Sequence, residues 1–262
     1  MKAGNSARSK SLESHVTTAE HDTAEHTHGP ELLHHFDTAN QQREAASFGM
    51  WLFLVTEVMF FGGLFAAYLL YRNWYYEAFA AASNTGSILL GTVNTVVLIC
   101  SSLTMAMAVW ASQKKYRQML CFFIVATIVL GAVFLGIKGV EYKKKWDDHH
   151  IPGNFMGRSF DTSEFEHPKP DEHGHVGKAL SHDMAEKAQI YFGLYFAMTG
   201  MHAIHMIIGM GIMVFLLGNA WKGAYTTGHH TMIENFGLYW HFVDIVWIYL
   251  FPLLYLISRH TH

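Results

Sequence analysis

An all-α, polytopic membrane helix bundle with five transmembrane helices is predicted by three observations. Hydrophobic residues make up 51% of the 262-residue chain. They gather into runs long enough to cross a hydrocarbon core of about 30 Å, which takes about 20 helical residues. Polar residues are segregated instead into two stretches, 1–47 and 141–187. Each apolar run is read as a helix because lipid offers the backbone no hydrogen-bond partner, so every N–H and C=O must be satisfied within the segment.

Residues 1–47 hold six histidines, His15, His21, His26, His28, His34 and His35, among Thr, Ala, Glu and Ser, with no apolar period. They read as a disordered His-rich tail whose histidines lack tight metal-ligand spacing. The five helices are expected at 48–71, 87–111, 118–139, 188–218 and 233–257, giving a membrane domain over 48–262 with an outer loop at about 141–187. The connections 73–86 and 112–117 are short, which makes the first three helices antiparallel neighbours. The turn SQKKYR (112–117) holds three basic residues and 73–86 holds none, so the former is expected on the cytoplasmic side. The N-terminus is then cytoplasmic and, after five crossings, the C-terminus outside. Lys143, Lys144 and Lys145 fall on the outer side, in a long loop that also carries many acids and counts little in that rule.

A net charge of −3 with scattered Lys and Arg gives no basic patch for nucleic acid, so the expected partners are lipid and other membrane chains. Cys100 and Cys121 both lie in apolar runs, which leaves no disulfide framework and no CxxC site. The first apolar run starts at Phe48, too late for a secretory signal, and the tail lacks the Arg-rich, acid-poor character of a transit peptide. A carrier is the reading from a different functional class. Against it, no internal repeat and no pair of Gly- or Pro-broken helices is visible, Pro252 being the only proline within a helix.

Chemistry is concentrated in a few intramembrane polar residues. Glu57 stands inside the apolar run 49–71, where an ionisable group is costly and normally faces protein or a cavity. His202 and His205 share one helix face at i and i+3, and His241 and Asp244 repeat that spacing on the last helix. These groups read either as metal or haem ligands or as interhelical hydrogen-bonding groups worth about 1 kcal/mol each. A redox metal wants three or four well-placed ligands, and the scarcity of candidates favours packing. Gly62, Gly63, Gly193, Gly200, Gly209 and Gly211 are expected to let helices approach closely. Tyr71, Trp74, Tyr75, Tyr76 and Trp221 are placed to form interfacial belts.

Five segments carry a resemblance: FGMWLFLVTEVMFFGGLFAAYLLY (48–71), LLGTVNTVVLICSSLTMAMA (89–108), FLGIKGVEY (134–142), YFAMTGMHAIHMIIGMG (195–211) and GLYWHFVDIVWIYLFPLLYL (237–256). In order, they resemble the last five helices of subunit III of haem-copper cytochrome c oxidase. The combination of a mid-helix Glu, a TGxHxxH helix and a WHFVDxVW helix is what makes the resemblance specific. It implies a non-catalytic membrane subunit that binds no haem or copper itself, those metals residing in partner subunits. It implies packing beside catalytic subunit I, with subunit II in the complex. Phospholipid bound between helices, support for proton uptake and protection of the catalytic core are further implications. On this resemblance Glu57 is the carbodiimide-reactive carboxylate, sheltered by His202 or His205. His202, His205, His241, Asp244 and Glu141 form the bundle's polar network.

The longest members of that family have seven helices, and the first two are absent here. The resemblance is therefore to the five-helix bacterial form, placed in the cytoplasmic (inner) membrane. Glu rather than Asp at position 57 favours a cytochrome c oxidase. Subunit III of a quinol oxidase and an accessory membrane protein of nitric oxide reductase are the alternatives within the superfamily. The missing arm leads to the expectation that Asn94, Ser101, Ser102 and Thr104 on the second helix need cover from a partner, such as a small helical subunit.

Overall fold

The computed structural model describes residues 38–153, 160–168, 179–223, 225 and 230–256, and every regular element among them is helical. In chain order these are α1 (Ala39–Trp74), α2 (Tyr76–Asn84), α3 (Ile88–Gln113), α4 (Arg117–Asp147), α5 (Ser163–Glu166), α6 (His182–Trp221) and α7 (His230–Tyr255). Five of them, α1, α3, α4, α6 and α7, are long and apolar enough to cross a membrane. The six histidines of the tail lie outside the described residues.

The helices overrun the hydropathy boundaries. α1 starts at Ala39, with the Thr38 hydroxyl accepting from the Gln41 amide at 3.2 Å, so the end of the supposed tail is helical. α4 continues through the lysine cluster to Asp147, and α6 begins at His182, which trims the outer stretch read as 141–187. Hydropathy marks where lipid ends; a nucleated helix keeps adding one hydrogen bond per residue beyond that point. The connection 73–86 also contains an element of its own. The Ala-rich α2 buries Ala78, Phe79 and Ala82 and packs chiefly against α6.

The spans alternate in direction. α3 packs on α4 and α7, α4 on α6, α6 on α7, and α1 closes one side against α6 and α7. Half of the apolar window of α7 is buried, against 17% of that of α1, so α7 is the central helix and α1 the peripheral one. Trp51 and Trp74 are both exposed on α1 and lie about 35 Å apart at a rise of about 1.5 Å per residue. Trp110, Tyr116 and Trp221 are exposed at the same end as Trp51, and Tyr76 at the other, which brackets the hydrocarbon between two aromatic girdles.

Polar side chains stitch α3 to α7 and α4. The Trp240 indole donates to Ser101 Oγ at 3.0 Å and the Trp247 indole to Thr95 Oγ1 at 3.2 Å. Ser102 Oγ lies 2.6 Å from His241 Nδ1, and Thr104 Oγ1 lies 2.8 Å from Thr127 Oγ1. Asn94 and Ser101 are fully buried. The expectation that these α3 residues need cover from a partner is thereby corrected: α4 and α7 meet them, while the opposite face of α3, with Leu89, Val96, Ile99 and Leu103, is the exposed one.

Close glycine contacts are fewer than expected. A Cβ at Gly209 would come within 2.8 Å of the Trp240 ring, whereas Gly62, Gly63 and Gly211 have nothing within 4 Å. At the far end, Tyr68 on α1 donates to the Leu253 carbonyl at 2.8 Å and Tyr191 on α6 to the Leu254 carbonyl at 2.9 Å. Those bonds seat the last turn of α7 just after Pro252, whose ring nitrogen cannot donate to the helix. The α4–α6 connection is pinned outside the spans. His150 stacks on Phe192 at 4.9 Å and its Nε2 lies 2.8 Å from Glu164. His182 Nδ1 lies 2.7 Å from Glu166.

Candidate functional site

Glu57 and His205 form an intramembrane pair. Glu57 lies about two turns, roughly 9 Å, inside the level of Trp51, on the side of α1 that meets α6. Its Oε2 is 3.1 Å from His205 Nε2, and the two side chains are 18% and 13% exposed. His205 Nδ1 is 2.8 Å from the Met201 carbonyl, one turn back on α6. A carbonyl only accepts, so Nδ1 carries a hydrogen. Nε2 then either accepts from a protonated Glu57 or, as imidazolium, donates to its carboxylate. In both arrangements one proton sits between the two residues and the pair is neutral overall, which is how the carboxyl is tolerated at that depth. Phe61 packs on the His205 ring at 5.4 Å, and Tyr239 on α7 donates to the His205 carbonyl at 2.9 Å. Of the two histidines that could shelter Glu57, the structure selects His205.

Glu141 belongs to a second, wholly buried cluster that the sequence reading largely missed. Lys138 Nζ donates to Glu141 Oε2 at 2.9 Å, to Tyr255 Oη at 2.8 Å and to Tyr195 Oη at 3.3 Å, which uses all three of its hydrogens. The Tyr195 and Tyr255 hydroxyls donate onward to Glu141 Oε1. The circuit therefore closes without an unfilled donor, and the Lys138 ammonium also lies 4.6 Å from the centre of the Trp247 ring. Lys145, also buried, donates to Thr85 Oγ1 at 3.4 Å and faces the rings of Phe192 and Tyr195. The available signal was Lys138 standing three residues before Glu141 in an otherwise apolar run, the spacing of a helical ion pair.

The remaining predicted site residues do not converge. His202 shares a face with His205 but turns inward, its ring 5.4 Å from Phe134 and 5.3 Å from Trp247, and neither ring nitrogen has a partner among the described residues. His241 bonds Ser102 and not Asp244. Asp244 is buried with neither carboxyl oxygen in a well-formed hydrogen bond among the described residues, the nearby Ser102 hydroxyl being taken by His241. Among the described residues no three His, Cys, Asp or Glu side chains are grouped so as to hold a metal ion. The polar groups that are bonded form pairs and small circuits between helices, while Asn94, His202 and Asp244 stay unbonded among the described residues. Outside the spans, the Ser163 hydroxyl and amide hold the Asp161 carboxyl below the usual aspartate range, the amide at 2.9 Å.

Five alternating spans, two aromatic girdles and polar groups consumed between helices define an integral membrane helix-bundle protein. The chain belongs to the cytochrome c oxidase subunit III family, whose family model matches residues 31–160 and 181–259. The gap between the two matched blocks falls in the α4–α6 connection. The chain is 29% identical over 227 residues to cytochrome c oxidase subunit 3 of Thermostichus vulcanus, covering 85% of this chain and 92% of that protein. It is 30% identical over 234 residues to the subunit 3 of Corynebacterium diphtheriae, covering 85% and 96% respectively. A similar likeness, 25% over 228 residues and covering 87% and 92%, extends to the cytochrome bo(3) ubiquinol oxidase subunit 3 of Pseudomonas aeruginosa.

Proposed function

We propose that this chain is the non-catalytic subunit III of an aerobic respiratory terminal oxidase, anchored beside a catalytic subunit I and a subunit II that carry the haem and copper. The observation that carries this reading is the family match through all five spans, read together with histidines that are taken up singly. His205 meets a carboxylate, His241 a hydroxyl and His202 two aromatic rings. No step of oxygen reduction is assigned to them. The chain contributes mechanical and protonic support: it stabilises the catalytic subunit, holds phospholipid, and keeps one proton at Glu57–His205 that can be passed on or replaced.

The cytochrome c type is favoured by Glu57; sequence identity does not separate the two types, since cytochrome c oxidase relatives range from 25% to 30% and the ubiquinol oxidase subunit stands at 25%. The quinol oxidase subunit is the second reading, supported by that same likeness. Lys114, Lys115 and Arg117 on the α3–α4 turn support a cytoplasmic position for that end in a bacterial inner membrane, with the N-terminus inside and the C-terminus outside.

Purification of the full chain in mild detergent tests the reading. Co-purification with a haem-bearing multi-helix subunit is expected, with turnover on reduced cytochrome c. A chain that purifies alone and colourless, with transport activity in vesicles, overturns it in favour of a carrier.

A further inference from the structure

Although α7 is the central helix, its exposed residues gather on one face between the two helices that flank it. On one side Trp240 and Trp247 bond to Ser101 and Thr95 of α3. On the other, Phe242 lies 6.2 Å from Phe61 of α1. The sector between them carries Leu238, Ile245, Ile248 and Tyr249, all exposed, with the half-buried His241 at its α3 edge. These positions follow the i, i+3, i+4 spacing of one helix face, so they form a continuous strip.

Aliphatic residues on such a strip suit lipid, but two of its groups do not. His241 Nδ1 is 2.6 Å from Ser102 Oγ, which fixes the ring and turns Nε2 away from Ser102. Nε2 has no partner among the described residues and is left to donate or accept, depending on the tautomer. The Tyr249 hydroxyl is likewise unbonded among the described residues, and the residue is 65% exposed. Ser102 lies eight residues, about 12 Å, inside the level of the exposed Trp110. Tyr249 lies another eight residues, about 12 Å, beyond His241. Against a girdle separation of about 35 Å, each group is at least about 10 Å from either interface. Acyl chains offer neither a donor nor an acceptor, and an unpaired polar group at that depth is costly.

We infer that this strip of α7 seats a transmembrane helix of a partner subunit, one that presents hydroxyl or amide side chains seven or eight residues apart to His241 Nε2 and the Tyr249 hydroxyl. Side chains at that separation share a helix face about 12 Å apart, which matches the spacing on α7. Leu238, Ile245 and Ile248 supply the van der Waals contact between the two polar anchors, the combination by which helices associate in lipid. Ser102 is a positioning residue, since its bond to Nδ1 sets the direction of Nε2. The inference rests on the proposed function for the existence of partner subunits and names the face that one of them uses.

The full chain carries photo-reactive p-benzoylphenylalanine in place of Ile245, or of the comparably exposed Val129 on α4 or Ile207 on α6, and is irradiated in its native membranes before purification. A cross-link to a partner subunit of the oxidase is expected from position 245 and not from 129 or 207. Tyr249→Phe removes only the free hydroxyl. It is expected to lower retention of that subunit in detergent about fivefold, the worth of one interhelical hydrogen bond, while the melting temperature of the chain alone is unchanged. A cross-link from 129 or 207 but not from 245 overturns the inference, as do adducts at 245 with lipid only or with a second copy of this chain. Undiminished retention by Tyr249→Phe overturns it too. In all of these cases co-purification of a haem-bearing subunit leaves the proposed function standing, whereas a chain that purifies with no companion overturns both.

Discussion

The Tyr255 hydroxyl at the end of α7 donates to the Glu141 carboxylate on α4 and accepts from Lys138, so one phenol bridges both members of a buried ion pair. Removing Glu141 leaves Lys138 charged, buried and short of its counter-ion. Glu141→Ala is expected to destabilise the chain by about 3–5 kcal/mol, the usual result of breaking a buried pair. Tyr255→Phe, which keeps the ring, is expected to cost about 1–3 kcal/mol. The double variant Lys138→Met, Glu141→Leu is expected to recover most of the loss. Thermal unfolding in one detergent checks all three; equal loss in the double and single variants counts against a closed circuit.

A lipid-soluble carbodiimide seeks a carboxyl in a water-poor site, and Glu57, partly buried at membrane depth against His205, is such a group. Labelling is expected to concentrate on the peptide carrying Glu57, with little on Glu141, which is enclosed, or on Glu234, near the membrane surface. Glu57→Gln is expected to abolish it. His205→Ala is expected to weaken assembly and durability in turnover more than the initial rate. Peptide mapping and progress curves of oxygen consumption are the measurements, and label spread evenly over the three glutamates removes the special status of Glu57.

Glycine at 209 lets the Trp240 ring lie against α6. Gly209→Ala is expected to cost about 1–3 kcal/mol through overpacking. Gly211→Ala, two residues on and in open space, is expected to be neutral or to stabilise by up to about 1 kcal/mol through helix propensity. The difference between the two melting temperatures is the test, and it is independent of the detergent chosen.

His202 offers a contrasting case. A buried imidazole with no polar partner loses its hydration without compensation. His202→Leu is therefore expected to leave melting unchanged or to raise it, while oxidase assembly persists. A large loss of stability would mean that His202 is satisfied by a buried water or by residues outside those described.

In the α4–α6 connection, the Ser163 hydroxyl and amide lower the Asp161 carboxyl below its unfolded value. That contribution is fully present above the unfolded pKa of about 4 and is lost as pH falls through the lowered folded value. Hydrogen exchange at the Ser163 amide, corrected for intrinsic rate, is expected to show an acid-side rise only below about pH 4, while the His182–Glu166 contact in the same connection weakens separately as pH rises through the raised His182 value. Asp161→Ala is expected to exchange faster at neutral pH, with that acid-side change removed.

The spans were legible because hydropathy reports on lipid contact over some 20 residues at a time. Their ends were not, since hydrogen bonding carries α1, α4 and α6 past the apolar boundary. Glu57 stood out as a charge in an apolar run, and its partner was narrowed to His202 or His205 by chemistry alone. Choosing between them needed the rotation of α6 relative to α1. Lys138 escaped notice for the opposite reason: at the end of a span a lysine reads as an interfacial cation, and only the tyrosines from α6 and α7 reveal it as buried. The cover of the α3 polar residues by α4 and α7 was not legible because order along the sequence does not tell which helices are neighbours in space.

α7 follows the other four described spans in the chain, yet it completes contacts begun on every one of them. Until it inserts, Thr95 and Ser101 on α3, Lys138 on α4 and Tyr68 and Tyr191 on α1 and α6 lack the partners that α7 supplies. The four earlier spans can already share the Glu57–His205, Thr104–Thr127, Tyr142–Thr199 and Tyr195–Glu141 contacts, so only their α7-facing groups wait unpaired. Final closure of the bundle therefore follows the arrival of α7, whose rings and carbonyls fill the places the other four spans leave open.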